Sequence, residues 1–437
     1  MLYLFGSRAV GLAALPVNGD GAGPHRRPRA GKNPDECVGD LPGLPSGGSP
    51  AIHGSAAQNA AGDPGDASMG SEEPTQNASE PVRTELDVEK LKDYAKRVFG
   101  ALGGAMTSSM IYLGDRLGLY AELADGRAVD SEALAARTGL DERWLREWLF
   151  QQGAAGVLEY RDGRFSLSPE GRAVLADESH PAFGAGFFSH LPESMAAAER
   201  LPESFRTGRG LPYDALGPGG ARGIERGLAP WFRALLVPMV LPQLEGVVPK
   251  LEAGSRVADV GCGAGVALLE MAKAFPNSEF HGYDISKHAL ERAEQNCVDA
   301  GVTNAHFHDA STDPLPDDGG SAFVVTFDCL HDMAHPDGVM KRIRGCIAPD
   351  GTWLIADIKA RPTYEENLEH NPMAAMMYGT SVMTCMSSAL SEPDGLGLGT
   401  LGLHPGLAQQ MARDAGFTHF ETLDLGHPVN AFYVVRP

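Results

Sequence analysis

The sequence predicts an α/β protein: a seven-stranded, mostly parallel sheet in its C-terminal part, preceded by a mainly helical winged-helix domain and a disordered N-terminal tail. Three observations carry this. Strands and helices alternate from Arg256 to the end of the chain. A helix, turn, helix and hairpin pattern occupies residues 131–167. The first 83 residues have no sustained apolar periodicity.

Residues 1–83 are rich in Gly, Pro, Ala, Ser, Asn and Asp, so they cannot bury enough apolar surface to offset the entropy of ordering them. Met1–Val17 has the outline of a signal peptide, but Ser7 and Arg8 interrupt its apolar stretch and no cleavage-site pattern follows. Met69 precedes an acidic, polar stretch and reads as an alternative start. A regulatory or targeting tail is the rival reading of the residues before it.

Residues 84–178 form the next predicted unit. A helix is expected from about Asp87, and Met106, Met110, Leu113, Leu117 and Tyr120 recur at helical spacing as a stripe for a core or a dimer seam. The run from Ser131 to Leu140 reads as a short capped helix ended by Gly139. A second helix through Trp144, Leu145, Trp148 and Leu149 follows, with both Trp as packing residues. Val157–Leu167 reads as a hairpin turning at Asp162-Gly163. A winged helix reads DNA through its second helix, but here Asp141, Glu142, Arg143, Arg146 and Glu147 nearly cancel in charge. Phosphate contacts demand a basic excess, so dimerisation or substrate covering is the favoured role. Residues 179–250 are expected to be a helical connector with Phe187, Phe188, His190, Trp231 and Phe232, supplying one wall of a pocket.

Residues 251–437 carry the alternation. Strands are predicted at 256–260, 279–284, 304–308, 322–329, 351–358, 418–425 and 429–435, with helices at 266–275, 287–300, 336–348 and 405–415. Ligands in such sheets bind beyond the carboxyl ends of the strands.

Composition narrows the function classes. The net charge is −21, from 36 Lys plus Arg against 57 Asp plus Glu, a field that repels nucleic acid and anionic membranes. No apolar run reaches the roughly 18 residues that would span a bilayer. The six cysteines form no close pairs of the kind that make zinc or redox sites, so no metal ligand is expected and a reduced cytoplasm fits.

The chemistry concentrates after the first sheet strand. Gly261, Gly263 and Gly265 follow Val257-Ala-Asp-Val directly and open the next helix, a Rossmann-like arrangement in which a ligand approaches bare backbone. A dinucleotide fingerprint wants Gly or Ala three residues after the second Gly. Val266 stands there, which disfavours nicotinamide cofactors. The second strand ends in Asp284, nineteen positions past Gly265, where a carboxylate accepts ribose hydroxyls. The third ends in Asp309. Asp259, just before the glycines, either fixes the loop or engages an ammonium group of the ligand.

Those residues resemble class I S-adenosylmethionine-dependent methyltransferases over about 250–437. The resemblance implies that Asp259-Val-Gly-Cys-Gly-Ala-Gly lines the methionine part, that Asp284 holds the ribose and that Asp309 lies near the adenine. The implied cofactor contacts are Asp259, Gly261, Cys262, Gly263, Gly265, Asp284, Ile285, Asp309, Ala310 and Asp328. From Leu86 onward the chain is similar to small-molecule O-methyltransferases with an N-terminal winged-helix dimerisation domain. Their fourth strand ends in a His-Asp pair, as Leu330-His331-Asp332 does, and the His is the general base.

Asp357, at the end of the fifth strand, matches the family's acid that orients that His, and His331, Asp332 and Asp357 are therefore the catalytic candidates. A second orienting Glu has no counterpart in Gly395–Gly402, and the Trp that often follows His-Asp is Met333. The expected protein is thus a homodimeric methyltransferase acting on a small-molecule acceptor, with oxygen favoured. A cofactor-binding transcriptional regulator, or an enzyme methylating nitrogen, carbon or protein, are the alternatives. The insertion containing Met373, Met376, Met377, Tyr378, Met383 and Met386 is either a flexible lid over an apolar substrate or an ordinary buried helix.

Overall fold

Apolar residues on both faces of successive strands make the sheet a two-sided core. In the computed structural model, which describes residues 86–437, this sheet is built from β3 (Arg256–Val260), β4 (Glu279–Asp284), β5 (Ala305–Asp309), β6 (Ser321–Phe327), β7 (Ile347–Ile358), β8 (His419–Leu423) and β9 (Asn430–Arg436). A separate hairpin pairs β1 (Glu159–Arg161) with β2 (Arg164–Ser166). The seven strands lie in the order β5-β4-β3-β6-β7-β9-β8. β3 to β7 pair in parallel, and β9 is antiparallel to both β7 and β8. The order reverses between β3 and β6, the place where a crevice opens above the strand ends.

Each central strand sends alternate residues to opposite faces. Val257, Val325 and Leu354 pack with Leu268 and Met271 of the helix Val266–Ala274. Ala258, Val324 and Ile355 pack with Ile343 of the helix Pro336–Cys346 and Met411 of the helix Pro405–Asp414. The connector covers the first face. Its helix Gly217–Trp231 runs into a wide π-helical segment, Phe232–Val240, containing Pro238. Proline has no N–H for the ordinary i to i−4 ladder, which fits the wider turn, and the segment buries Phe232, Leu236 and Val240 against the sheet.

The winged-helix pattern forms as predicted. The helix Ser131–Thr138 is capped by Asp130, whose carboxylate accepts from Ala133 N, and ends at Gly139 with φ 73°. The helix Glu142–Ala154 is capped by Asp141. Two expectations need correction. Trp148 is buried, but Trp144 is 81% exposed and packs no core. The apolar stripe is not one helix face: the helix Val88–Arg116 stops before Gly118, whose φ of 70° breaks it, and Tyr120 sits on the short helix Leu119–Glu122 inside the core. Met106, Leu113 and Leu117 are left exposed.

The strand and helix limits differ from prediction by a few residues, most at β7, which begins at Ile347 rather than 351. The expectations for residues 1–83, including Met69 and the signal-like start, lie outside the described residues. Residues 92–437 belong to one compact unit. Among the described residues no single helix is long and apolar enough to cross a membrane.

Candidate functional site

A cavity of about 320 Å³ opens above the carboxyl ends of β3, β4 and β6. Its apolar walls include Leu228 and Phe232 from the connector, Phe327 at the end of β6, and Met333 and Val339 beyond it. Of the residues predicted to act, Asp259, Gly261, Cys262, Gly263, Asp284, Ile285, Ala310, Asp328 and Asp332 line it. Gly265, Asp309, His331 and Asp357 do not.

The glycine loop divides its labour. Gly261, with φ 77°, has no room for a Cβ, which would lie 2.7 Å from Cys329 Sγ. A Cβ on Gly265 would lie 2.6 Å from the Phe307 ring, so this glycine serves helix packing rather than ligand contact. A Cβ on Gly263 would meet nothing, and the bare backbone there faces the cavity. Gly263 N donates to Asp284 Oδ2 at 2.8 Å, and Ser286 N donates to Asp284 Oδ1 at 2.8 Å. The carboxylate is thereby fixed in orientation, and each oxygen keeps a lone pair for a further donor. Burial pushes the Asp284 pKa up, and the backbone donors oppose that.

Asp259 is 1% exposed, and neither of its carboxylate oxygens has a hydrogen-bond partner. Burial, reinforced by the charge of Asp284, pushes its pKa from 3.8 to about 8. Asp328, held in a left-handed conformation with φ 50° and bonded by Asn430, is pushed to about 7 by burial and then by Asp357. Asp332 is pushed to about 7, again mainly by burial. Buried acids whose charge is this poorly compensated favour a cationic ligand and oppose an anionic one.

Asp309 departs from its expected place beside the cavity. Its Oδ1 accepts from Ser311 N at 2.9 Å and from Ser311 Oγ, a turn closed on itself, and it is the backbone of Ala310 that reaches the wall, donating to Asp284 O at 2.9 Å.

His331 follows β6 on the turn Leu330–Asp332 and is 3% exposed. Its Nδ1 lies 2.6 Å from Asp357 Oδ1, so the predicted orienting pair forms across the neighbouring ends of β6 and β7. Burial works against a charged ring, but the charge and hydrogen bond of Asp357 outweigh it and hold His331 well above its ordinary pKa. A more basic ring is the stronger proton acceptor, once in its neutral form.

Two residues at the site carried no signal in the sequence. Cys385, on the π-helical segment Ser381–Cys385, lies beside His331 and Asp332. Tyr213, on a short 3-10 turn of the connector, lines the cavity, and burial together with the nearby Asp332 and Asp284 pushes its phenol well up. Part of the insertion is ordinary core. Met377 is buried in a small core with Ala360, Ala374 and Leu401, while Ser388 and Ser391, further along, line the cavity.

On the winged helix, Arg143 pairs with Glu147 at 2.7 Å and Arg146 with Glu142 at 2.5 Å, so the two arginines of the second helix are both neutralised within it.

Comparison with known proteins agrees with this geometry. Residues 251–416 match the model of a methyltransferase domain, and residues 105–176 match that of the Rv2258c-like winged HTH domain. The ubiquinone biosynthesis O-methyltransferase of Ralstonia nicotianae is 33% identical over 109 residues, 25% of this chain and 43% of that protein. The chain thus spans less than half the length of this curated relative.

Two solved structures share the fold across most of both chains. A Nostoc punctiforme protein assigned as an O-methyltransferase has a TM-score of 0.60 at 18% identity, covering 78% of this chain and 98% of the other. Human N-acetylserotonin methyltransferase, solved with S-adenosylmethionine, has a TM-score of 0.57 at 20% identity, covering 81% and 99%. The chain joins a winged HTH domain of the Rv2258c-like type to a methyltransferase domain.

Proposed function

We propose that this chain is an S-adenosylmethionine-dependent methyltransferase that methylates a small-molecule acceptor at a hydroxyl oxygen, as a homodimer assembled through its N-terminal helical region. The observation that carries the reading is Asp259. A buried carboxylate with both oxygens unpaired, beside a bare glycine loop, matches the ammonium group of the methionine part. The acid-rich cavity also argues against dinucleotide cofactors, whose pyrophosphate would oppose ionisation of Asp259, Asp284 and Asp328 and would bring no cation to pair with them. The O-methyltransferases that this chain is similar to in fold or in sequence support oxygen as the acceptor.

The cofactor supplies a methyl group on a sulfonium, an electrophile that needs no metal or acid to activate it. The chain's residues do the rest. Asp284, held by Gly263 and Ser286, accepts the ribose hydroxyls, and Asp259 takes the ammonium. Phe232, Phe327 and Met333 exclude water and hold an apolar acceptor so that its oxygen is aligned for in-line attack. His331 is next in the chain to the cavity-lining Asp332 but off the wall itself; oriented through Nδ1 by Asp357, it takes the acceptor's proton on Nε2 once the acceptor's hydroxyl reaches the ring. Asp332 lies on the cavity wall, with its carboxylate near the ring. The second product would be S-adenosylhomocysteine.

The test is release of S-adenosylhomocysteine from the full chain incubated with the cofactor and a panel of phenols, amines and acids. Methylation of at least one phenol is expected. A folded protein that fails to bind S-adenosylmethionine in calorimetry overturns the reading.

A further inference from the structure

The donors next to the cavity form a cluster that proton transfer alone does not require. One nitrogen of His331, a carboxylate oxygen of Asp332 and the thiol of Cys385 lie within 4.8 Å of one another. We propose that His331, Asp332 and Cys385 form a binding site for a zinc-class divalent cation.

Donor chemistry comes first. Imidazole nitrogen, carboxylate oxygen and thiolate sulfur are the three ligand types of protein-bound zinc, and three protein ligands leave a fourth, open position. Ligands at about 2.0 to 2.3 Å from a tetrahedral ion stand on the order of 3.5 Å apart, so small side-chain rotations close this cluster onto a metal. Charge follows. One thiolate and one carboxylate neutralise a doubly charged cation, leaving a neutral site in partly buried surroundings.

Orientation is the independent observation. His331 Nδ1 is committed to Asp357 Oδ1 at 2.6 Å, which leaves Nε2 as the ligating atom. A metal-bound histidine characteristically gives its other nitrogen to a carboxylate, which fixes the ring and raises its basicity as a ligand. Asp357 is itself 1% exposed, and its Oδ2 has no partner, so the pair is rigidly buried rather than solvated.

The fold presents the thiol deliberately. Cys385 ends a π-helical segment, a feature frequently found at functional sites. The Gly-rich stretch after it is bonded to the histidine turn, with Gly399 N donating to His331 O at 3.0 Å and Leu396 N to Ala334 O at 2.9 Å. Spacing does not reveal this cluster, because residues 331 and 385 are far apart in the chain, unlike the close pairs by which zinc sites are read. Binding displaces the thiol proton to solvent, and Nε2 then ligates the cation instead of taking a proton from an acceptor.

The experiment uses the full chain after treatment with a chelator, titrated with zinc chloride in a calorimeter and with cobalt(II) followed by absorption. One equivalent per chain is expected, with a thiolate-to-cobalt charge-transfer band. Cys385→Ala should abolish the band and weaken zinc at least tenfold. Asp357→Asn, which keeps the shape, should weaken zinc by about 10 to 100-fold. Circular dichroism and melting check that each variant folds, and Cys385→Ser and Asp332→Asn provide second, less disruptive substitutions. Absence of stoichiometric binding overturns the site, as does a Cys385→Ala protein that binds like wild type or keeps the cobalt band. No methyl donor or acceptor enters this measurement, so its failure leaves the methyltransferase reading standing.

Discussion

Asp259 holds a carboxyl group that burial keeps protonated, with a pKa of about 8 against 3.8 outside the fold. Arrival of an ammonium group favours the charged form and should drive the proton off. Binding of S-adenosylmethionine at pH 7 is therefore expected to release about one proton. Calorimetry in buffers of different ionisation enthalpy measures this, and a buffer-independent heat would remove the assignment. The linkage also has a sign for stability. A folded-state pKa raised above the unfolded value means the folded protein binds the proton more tightly, so the ligand-free protein loses stability as pH rises from about 3.8 through about 8. Asp259→Asn should melt higher than wild type at pH 8 without cofactor, while binding the cofactor worse.

Asp284→Ala should cost about 2 to 3 kcal/mol of cofactor affinity, the worth of hydrogen bonds to a charged acceptor. Unchanged affinity in a folded variant would contradict its role. His331→Ala should keep cofactor binding and lower turnover by roughly 10² to 10⁴-fold. A rate within threefold of wild type on a confirmed acceptor would exclude it as the base. These three residues were legible because each sits at a strand end next to a recognisable motif. Asp309 obeyed the same rule and still turned away, because Ser311 two residues on offers its carboxylate a local partner that the strand pattern does not reveal.

At the scale of elements, the helix Val88–Arg116 is the clearest unpartnered surface. Phe99 is 70% and Met106 52% exposed, with Val98, Leu102 and Leu113 also open on the same helix, an amount of apolar surface that water disfavours. Met106→Asp combined with Leu113→Asp should turn a dimer into monomers or aggregates. Light scattering decides, and a monomeric wild type would end the proposed role of this helix. The helices were legible wherever caps and periodicity agreed, as for Lys287–Ala300, which Ser286 caps and Gly301 ends. The stripe through Tyr120 misled because Leu117 and Tyr120 keep helical spacing across a break at Gly118, and spacing alone does not register a residue with positive φ.

For the whole molecule, a chain beginning at Met69 should fold, dimerise and bind cofactor like the full chain, since the composition before it offers no core. A large loss in melting temperature on truncation would refute this. The sequence by itself determined the alternation of strands and helices, the winged helix, the glycine loop and the acids beside it. Those features are local, written in periodicity, capping and turn chemistry over a few residues. Tertiary structure alone decided that Asp259 is left unpaired, that His331 is drawn by Asp357 into a strongly basic pair, that Tyr213 lines the cavity, and that Cys385 reaches the histidine from 54 positions further along the chain. Each of these depends on burial and on contacts between distant segments, and the dielectric surroundings that set a charge's cost exist only once the chain has packed.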